Sequence, residues 1–195
     1  MLKEGDKVPA ALLRASFDAS FAGSDTAKPV TLAELGSPGK TLVLYFYPKD
    51  STPGCTREAQ GFTASKKAIE KAGGAVVGVS RDSVKSHCSF RDKYDLAIPL
   101  ISDPDRKLHE GFGAWGEKVM YGKKILGAIR STFLIKDGVV AKVWPSVKVD
   151  GHIDAVLAAL SGAPAAASKA AKPKATKPAK PAKPAKPAKA KARAR

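Results

Sequence analysis

Cysteine is scarce in this sequence, whose 195 residues include only Cys55 and Cys88. Two cysteines cannot form the disulfide framework that very small secreted domains need, and a chain of this length buries a core without one. Long apolar runs are also missing, and none approaches the roughly 20 residues that span a bilayer. The charged residues 1–7 lack the apolar segment of a secretory signal. These absences predict a cytoplasmic protein with no membrane partner.

Motifs for metals and nucleotides are missing as well. The three histidines, His87, His109 and His152, have neither the spacing of a zinc site nor a cysteine pair beside them, so we expect solvated or packing histidines and no metal. Residues 111–116 fit G-x-G-x-x-G, but they follow a predicted helix rather than a strand, which argues against dinucleotide binding. No Cys-x-x-Cys pair occurs, which argues against a thioredoxin-type dithiol donor. The sequence therefore predicts no cofactor.

Acidic residues are absent from the C-terminal segment 163–195, whose nine Lys and two Arg carry +11 of the formal charge of +16. This segment has almost no large apolar side chain, so it cannot bury enough surface to offset the entropy of ordering. We predict a folded domain over residues 1–162 and a disordered basic tail over 163–195. The tail would attract DNA or RNA without sequence specificity, since it has no aromatic residue to stack on bases. A solubilising extension with only incidental binding explains the same composition.

The pattern of apolar residues in the body predicts a β-α-β unit followed by a β-hairpin and a helix. The turn 136–138, Lys-Asp-Gly, is the strongest hairpin signal. After short strands and a helical turn in the first 35 residues, the predicted strands are Thr41–Tyr47, Ala75–Ser80, Ile98–Ile101, Arg130–Ile135 and Val139–Trp144. The predicted helices run from Pro53 to about Ala72, from a cap at Asp82 or Ser83 to about Tyr94, from Pro104 onwards, and from Gly151 to about Leu160. This order predicts an α/β fold around a mixed sheet.

Cys55 lies where a predicted strand gives way to a predicted helix. The first turn of a helix has unpaired backbone N–H groups and the positive end of the helix dipole, and both favour a thiolate. Pro53 suits this position because the first turn needs no N–H from it. The placement predicts a reactive thiol, and the alternative is a buried, inert cysteine.

The segment 46–56, FYPKDSTPGCT, resembles the active-site motif of peroxiredoxins of the Q type, also called bacterioferritin-comigratory proteins. The resemblance covers roughly residues 3–161 and continues through 79–87 (VSRDSVKSH), 99–103 (PLISD), 112–117 (FGAWGE) and 130–135 (RSTFLI). It implies a thioredoxin-like fold and a thiol-dependent peroxidase that acts on hydroperoxides.

The resemblance also implies what the site residues do. Cys55 would attack the O–O bond of a hydroperoxide and become a sulfenic acid. Donors would point at the peroxide oxygens, while two prolines would shield the sulfur and fix the loop. The donors are the Thr52 hydroxyl, the backbone N–H groups of Gly54 and Cys55 and the Arg130 guanidinium, and the prolines are Pro48 and Pro53. From the residues alone, Arg130 could be a surface strand residue or a salt-bridge partner. Thr52 could serve as the helix cap alone, or it could do both jobs.

Many relatives have a resolving cysteine five residues after the peroxidatic one, but Gln60 occupies that position here. The resemblance includes a subgroup whose resolving cysteine lies on the next helix, where Cys88 is predicted. Cys88 would then form an intramolecular disulfide with Cys55, and thioredoxin or a similar dithiol would reduce that bond. Because a disulfide needs Cα atoms within about 7 Å, we expect both helices to unwind locally during turnover. If Cys88 is instead a small packing residue, the enzyme works with one cysteine and an external thiol.

A second function class stays open at this point. The basic tail could make this a nucleic-acid-associated protein, with the body as a redox sensor or a one-cysteine peroxidase. We favour the peroxidase because the motif residues and the strand-to-helix position of Cys55 agree. Relatives of the Q type are often monomeric or dimeric, so both oligomeric states are expected alternatives.

Overall fold

The computed structural model describes residues 1–24, 26–36, 39–120 and 123–162. They form a mixed sheet of seven strands with helices on both faces, beside a two-stranded hairpin. The predicted α/β fold with a mixed central sheet is therefore confirmed. The predicted disordered tail, 163–195, lies outside the described residues. Across the described ranges, no helix is long and apolar enough to cross a membrane.

Strands and helices alternate through the middle of the chain, and a hairpin and a helix end the described part. The strands are β1 Phe17–Ser20, β2 Lys28–Val30, β3 Thr41–Phe46, β4 Gly74–Ser80, β5 Leu100–Ser102, β6 Trp115–Met120, β7 Lys123–Ala128, β8 Ser131–Lys136 and β9 Val139–Trp144. The helices are α1 Ala10–Arg14, α2 Leu32–Leu35, α3 Pro53–Lys71, α4 Val84–Tyr94, α5 Lys107–Phe112 and α6 His152–Leu160. The seven-stranded sheet has the order β2-β1-β5-β4-β3-β8-β9, and β6 pairs with β7. Strands β3, β4 and β5 are parallel, and the remaining neighbours are antiparallel.

The central strand β3 is apolar on both sides because hydrophobic clusters cover both faces of the sheet. Its residues alternate between the two clusters, with Leu42, Leu44 and Phe46 in one and Val43 and Tyr45 in the other. The second cluster also contains Phe62 of α3, Phe90 of α4 and Val156 of α6, whereas the first contains Leu32 of α2 and Leu108 of α5. A continuous apolar run is what a strand at the centre of such a sheet requires. Helices α3, α4 and α6 therefore share one face.

Strand register brings the predicted site residues to one edge of the sheet. Parallel strands β3 and β4 both end there, and the loop after β3 leads to Cys55. Strand β8 runs in the opposite direction, and its first residue, Ser131, pairs with Phe46 at the end of β3. Arg130, which directly precedes β8, is therefore held beside the loop that carries Cys55.

The sequence predicts most elements of the body correctly. Helices α3, α4 and α6 begin and end within one residue of the predicted bounds, and Ser83 caps α4 by accepting a hydrogen bond from the Ser86 N–H at 3.3 Å. The predicted hairpin joins β8 to β9 through Asp137 and Gly138, whose φ values of 51° and 76° are those of a type I′ turn.

The start of α5 was predicted wrongly, and two elements were not predicted. The helix begins at Lys107 rather than Pro104, because Arg106 has the left-handed φ of 63° and ends the preceding turn. The Asp103 carboxylate instead accepts the His109 N–H at 2.9 Å, which ties the turn to the helix. Helix α1 and the β6–β7 hairpin had no strong sequence signal.

Candidate active site

Cys55 is the third residue of α3 and its side chain is buried, with 1% of its surface exposed. The helix begins at Pro53, directly after Thr52 at the N-cap position. The N–H groups of Gly54 and Cys55 have no acceptor within the helix because they belong to its first turn. The sulfur therefore lies at the positive end of a 19-residue helix, as the sequence predicts.

Thr52 occupies the N-cap position without capping the helix through its side chain. Its hydroxyl donates to the carbonyl of Lys49 at 3.1 Å. The expectation that this hydroxyl caps α3 is therefore wrong, and the bond instead closes the loop on itself. The hydroxyl oxygen keeps its acceptor capacity, and a rotation about the Thr52 side chain would redirect its proton.

Arg130 contacts the Cys55 sulfur directly. Its Nη2 donates to Sγ at 3.2 Å, although the two residues are 75 positions apart. The side chain is only 17% exposed, which excludes the interpretation of Arg130 as an ordinary surface residue. A Cβ atom at Gly54 would lie 3.4 Å from the same nitrogen, so Gly54 lines the space next to the guanidinium. The sulfur is therefore in direct contact with a cation.

Glu58 completes the site and was missed by the sequence analysis. Its Oε2 accepts a hydrogen bond from Arg130 Nη1, and its side chain is fully buried. Burial raises the pKa of Glu58 to about 7, although the Arg130 charge opposes that shift. Burial alone would lower the pKa of Arg130, but the charges of Glu58 and Cys55 outweigh it and raise the value. The sequence did contain one signal for Glu58. It follows Cys55 by three residues, and positions i and i+3 of a helix lie on the same face.

His152 is the first residue of α6 and lies near Arg130. Its Nε2 shares a hydrogen bond of 2.8 Å with Thr132 Oγ1, and its ring meets the edge of Phe62 at 6.0 Å between centroids. Burial, together with the nearby Arg130 charge, lowers the pKa of His152 to about 4. His152 is therefore neutral at physiological pH and serves as a packing histidine, one of the two roles expected for it.

Cys88 lies on α4 with its side chain partly buried, and no disulfide joins it to Cys55. Its Sγ faces the carbonyl of Ser24 at 3.9 Å, on the side of α4 that packs near β1. Ser86, two residues earlier, points instead at the loop before α3 and donates to Asp50 Oδ2 at 2.7 Å. Two residues correspond to about 200° around a helix. Cys88 and the Cys55 loop therefore lie on different sides of α4.

Comparison with known proteins decides the family. The profile of the AhpC/TSA family matches residues 5–143. The chain belongs to this family. Peroxiredoxin Bcp of Xanthomonas campestris pv. campestris is 56% identical over 123 residues, which are 63% of this chain and 77% of that protein. Two solved Xanthomonas campestris structures, of peroxiredoxin Q and of bacterioferritin comigratory protein, both have TM-scores of 0.72. They are 47% and 46% identical to this chain and cover 80% of it, with 95% and 98% of their own chains matched.

The resemblance to peroxiredoxins of the Q type is thus confirmed, and so is the thioredoxin-like fold. As a peroxiredoxin, the protein is a thiol peroxidase, an oxidoreductase that acts on peroxides. The individual roles of Cys55, Thr52 and Arg130 stay predictions, which the contacts described above support.

An open pocket of about 370 Å³ adjoins the active-site loop of this peroxiredoxin. It is lined by Pro48 and Lys49 of the loop, by Arg81 and Asp82 after β4, and by Trp115 together with residues 125–128 of the β6–β7 hairpin. Pro48 therefore lines the pocket beside the loop, and its shielding of the sulfur stays a prediction. The Arg81 guanidinium stacks 5.0 Å above the Trp115 ring centroid.

Proposed function

We propose that this peroxiredoxin reduces hydrogen peroxide and organic hydroperoxides through a sulfenic acid on Cys55. The Cys55 thiolate attacks one peroxide oxygen, an S–O bond forms, and the O–O bond breaks. The second oxygen leaves with the bonding electron pair, takes up a proton and departs as water or alcohol. Sulfur loses two electrons and the peroxide gains them, so the step balances without a cofactor.

The observation that carries this proposal is the 3.2 Å contact between Arg130 Nη2 and Cys55 Sγ. Negative charge passes from the sulfur to the leaving oxygen during the reaction, so a fixed cation next to the sulfur lies near both ends of that transfer. The N–H groups at the start of α3 point in the same direction and add to the field. Thr52 is proposed to turn its hydroxyl from Lys49 toward the peroxide when the substrate binds.

We further propose that Cys88 resolves the sulfenic acid. The Cys88 thiolate would attack the Cys55 sulfur, form the S–S bond and release hydroxide, which becomes water on protonation. Cys88 is the second of the two thiols in the sequence. Because its sulfur lies on the β1 side of α4, the step requires α4 to unwind near Cys88 and α3 to open at its first turn.

Thioredoxin or a similar dithiol is the proposed reductant. Its first thiolate would attack the Cys55–Cys88 bond to give a mixed disulfide, and its second thiol would release both cysteines in reduced form. Two electrons then enter for each peroxide reduced. A reducing cytoplasm, as expected from the sequence, would maintain such a dithiol.

The substrate class includes organic hydroperoxides. One relative, the bacterioferritin comigratory protein of Xanthomonas campestris, was solved in connection with its alkyl peroxide reduction activity. In this chain the pocket beside Pro48 has room for an alkyl group and has apolar walls at Trp115 and Leu126. An alkyl chain could therefore extend from the sulfur toward the β6–β7 hairpin.

Mass spectrometry tests the thiol chemistry directly. Reduced protein would be treated with one equivalent of hydrogen peroxide without reductant, alkylated and digested. We expect a peptide pair cross-linked through Cys55 and Cys88. If Cys55 is oxidised while Cys88 is alkylated, the enzyme uses a one-cysteine cycle and the resolving role of Cys88 is wrong. An unreacted Cys55 would refute the peroxidatic role.

Binding of nucleic acid through the tail is a separate proposal, supported by the eleven cations and the absence of acids in 163–195. Such binding would hold the peroxidase near DNA or RNA and would weaken steeply with salt. A gel shift over a salt series tests it, with a chain ending at residue 162 as the control. Absence of binding at low ionic strength would refute it, and Cys55→Ser should abolish peroxide consumption without changing the shift.

A further inference from the structure

A buried hydrogen-bonded pair connects the two segments that carry the cysteines. Asp50 lies in the loop five residues before Cys55, and His87 directly precedes Cys88 on α4. His87 Nδ1 and Asp50 Oδ2 are 2.9 Å apart, and their side chains are 0% and 4% exposed. This contact in the interior therefore joins the Cys55 loop to the helix of Cys88.

Both ring nitrogens of His87 have partners. Its second ring nitrogen, Nε2, lies 3.2 Å from the backbone carbonyl of Ile101. A carbonyl can only accept, so Nε2 donates to it. Nδ1 faces Asp50 Oδ2, and the two side chains form a hydrogen-bonded pair inside the protein.

The remaining partners of the Asp50 carboxylate come from the same two segments. The Tyr47 hydroxyl at the start of the loop donates to Oδ1 at 2.8 Å, and the Ser86 hydroxyl of α4 donates to Oδ2 at 2.7 Å. Burial and the Asp50 charge raise the pKa of Tyr47 well above its ordinary value, so Tyr47 stays a donor. The carboxylate thus accepts from the loop on one side and from α4 on the other.

A polar pair suits a junction that has to open. Two apolar side chains would expose apolar surface when the segments separate, whereas separated polar groups regain their hydration. The pair therefore stabilises the closed arrangement while both groups are buried and paired, and it loses much of that effect once water enters.

We propose that the Asp50–His87 pair is a positioning device that couples the conformation of the Cys55 loop to that of α4. While the pair is intact, the loop holds Cys55 against Arg130 and α4 stays helical. When the pair breaks, both segments open together and Cys88 becomes able to reach Cys55. The second half of this inference rests on the proposed resolving role of Cys88, whereas the coupling itself does not.

The coupling predicts opposite changes in two rate constants. His87→Gln keeps a donor near Ile101 but removes the imidazole nitrogen that contacts Asp50. Peroxide oxidation of Cys55 should slow by about tenfold, because the loop is less well ordered for attack. Formation of the Cys55–Cys88 disulfide should accelerate by several-fold, because less stabilisation has to be lost before α4 opens. Stopped-flow tryptophan fluorescence and quenched-flow alkylation would measure the two steps.

Ser83→Ala is the matched control. It removes the N-cap of α4 without contacting Asp50, so it destabilises the same helix from outside the junction. We expect it to accelerate disulfide formation and to leave the oxidation of Cys55 unchanged. If His87→Gln gives the same pattern as Ser83→Ala, the Asp50–His87 pair is merely a stabilising contact of α4 and the proposal is wrong.

A milder variant and an independent measurement keep the proposal testable if His87→Gln does not fold. Ser86→Ala removes one donor to Asp50 but keeps the Asp50–His87 pair, and should change both rate constants in the same directions by smaller factors. Hydrogen exchange should show that amides of residues 49–56 and 84–91 open together in the wild-type protein. Independent opening of the two segments would overturn the coupling.

A Cys88→Ser background separates this inference from the proposed function. If wild-type protein forms no Cys55–Cys88 disulfide, the resolving role fails. The slower oxidation of Cys55 on adding His87→Gln, and the joint hydrogen exchange, would still support the coupling in that background. Unchanged oxidation together with independent exchange would refute it, whatever the fate of Cys88.

Discussion

Glu58 lies one turn after Cys55 on α3, and both side chains bind the same guanidinium, that of Arg130. The carboxylate holds Nη1 while the sulfur faces Nη2. The fork of an arginine can contact two acceptors at once with fixed geometry, which an ammonium group does less well. Glu58 therefore sets the direction in which Arg130 presents its second nitrogen to the sulfur.

Replacing the fork with a single ammonium tests this arrangement. In Arg130→Lys the charge remains, but one nitrogen cannot serve both Glu58 and Cys55. We expect the rate constant for oxidation of Cys55 by peroxide to fall by roughly 10²- to 10³-fold, as when a positioned donor is lost elsewhere. Arg57→Lys is the control, since Arg57 is exposed on the same helix and pairs with Asp150 at the surface. Equal effects of the two changes would contradict the role of the fork.

Glu58→Gln should change how stability depends on pH. The pKa of Glu58 is raised from 4.5 to about 7, so the folded protein holds this proton more tightly than the unfolded chain does. The corresponding stability is present below pH 4.5 and is lost as the pH rises to about 7, by roughly 3 kcal/mol. The variant should lack this decline. Urea unfolding at pH 5 and pH 8 would measure it, and an equal decline in both proteins would show that Glu58 is not its source.

His152→Gln should change the pH dependence in the opposite sense. The pKa of His152 is lowered from 6.5 to about 4, so the unfolded chain binds this proton more readily. Stability is present above pH 6.5 and is lost as the pH falls through 4, again by roughly 3 kcal/mol. Gln keeps a group that can hydrogen-bond to Thr132 but cannot be protonated. The variant should therefore lose less stability than the wild type as the pH falls.

The two titrations partly cancel between pH 4.5 and 6.5 in the wild-type protein. The single variants should therefore deviate from the wild type in opposite directions over that range, and the double variant should return toward it. Parallel curves for both single variants would mean that other groups control the pH dependence.

Cys88→Ser tests the resolving step in turnover. Without the second thiol the sulfenic acid on Cys55 persists, so a further peroxide can oxidise it to the sulfinic acid. We expect loss of peroxidase activity with thioredoxin as reductant and earlier over-oxidation of Cys55 by mass spectrometry. Ser89→Ala, on the exposed side of the same helix, provides the control. Normal turnover of Cys88→Ser with thioredoxin would remove Cys88 from the cycle.

Local sequence patterns predicted the part of the site that is local in the chain. The strand, the turn with Pro53 and the helix place Cys55 correctly because each depends on neighbouring residues. Arg130 entered only through the family resemblance, since its contact with Cys55 depends on the register between β3 and β8. Glu58 looks like an ordinary polar residue of an exposed helix, and nothing nearby in the sequence indicates that it is buried.

The junction between Asp50 and His87 shows the same limit more clearly. These residues are 37 positions apart, and each is unremarkable in its own segment. Their contact follows from the parallel order of β3, β4 and β5, which places α4 beside the Cys55 loop. A single sequence contains the two residues but gives no sign that they pair. The same reason explains why the β6–β7 hairpin, which lines the pocket, was not predicted.

The pairing of Ser131 with Phe46 has a consequence for repeated turnover. It anchors Arg130 beside the backbone ladder of the central sheet, whereas Cys55 lies in the first turn of α3. If the first turn of α3 opens during turnover, as proposed, the cationic half of the site therefore stays in place. When the thiol is regenerated, the first turn of α3 refolds against Arg130 and β8, which have kept their conformation. The protein can then repeat a disruptive chemical cycle while reassembling only a few residues each time.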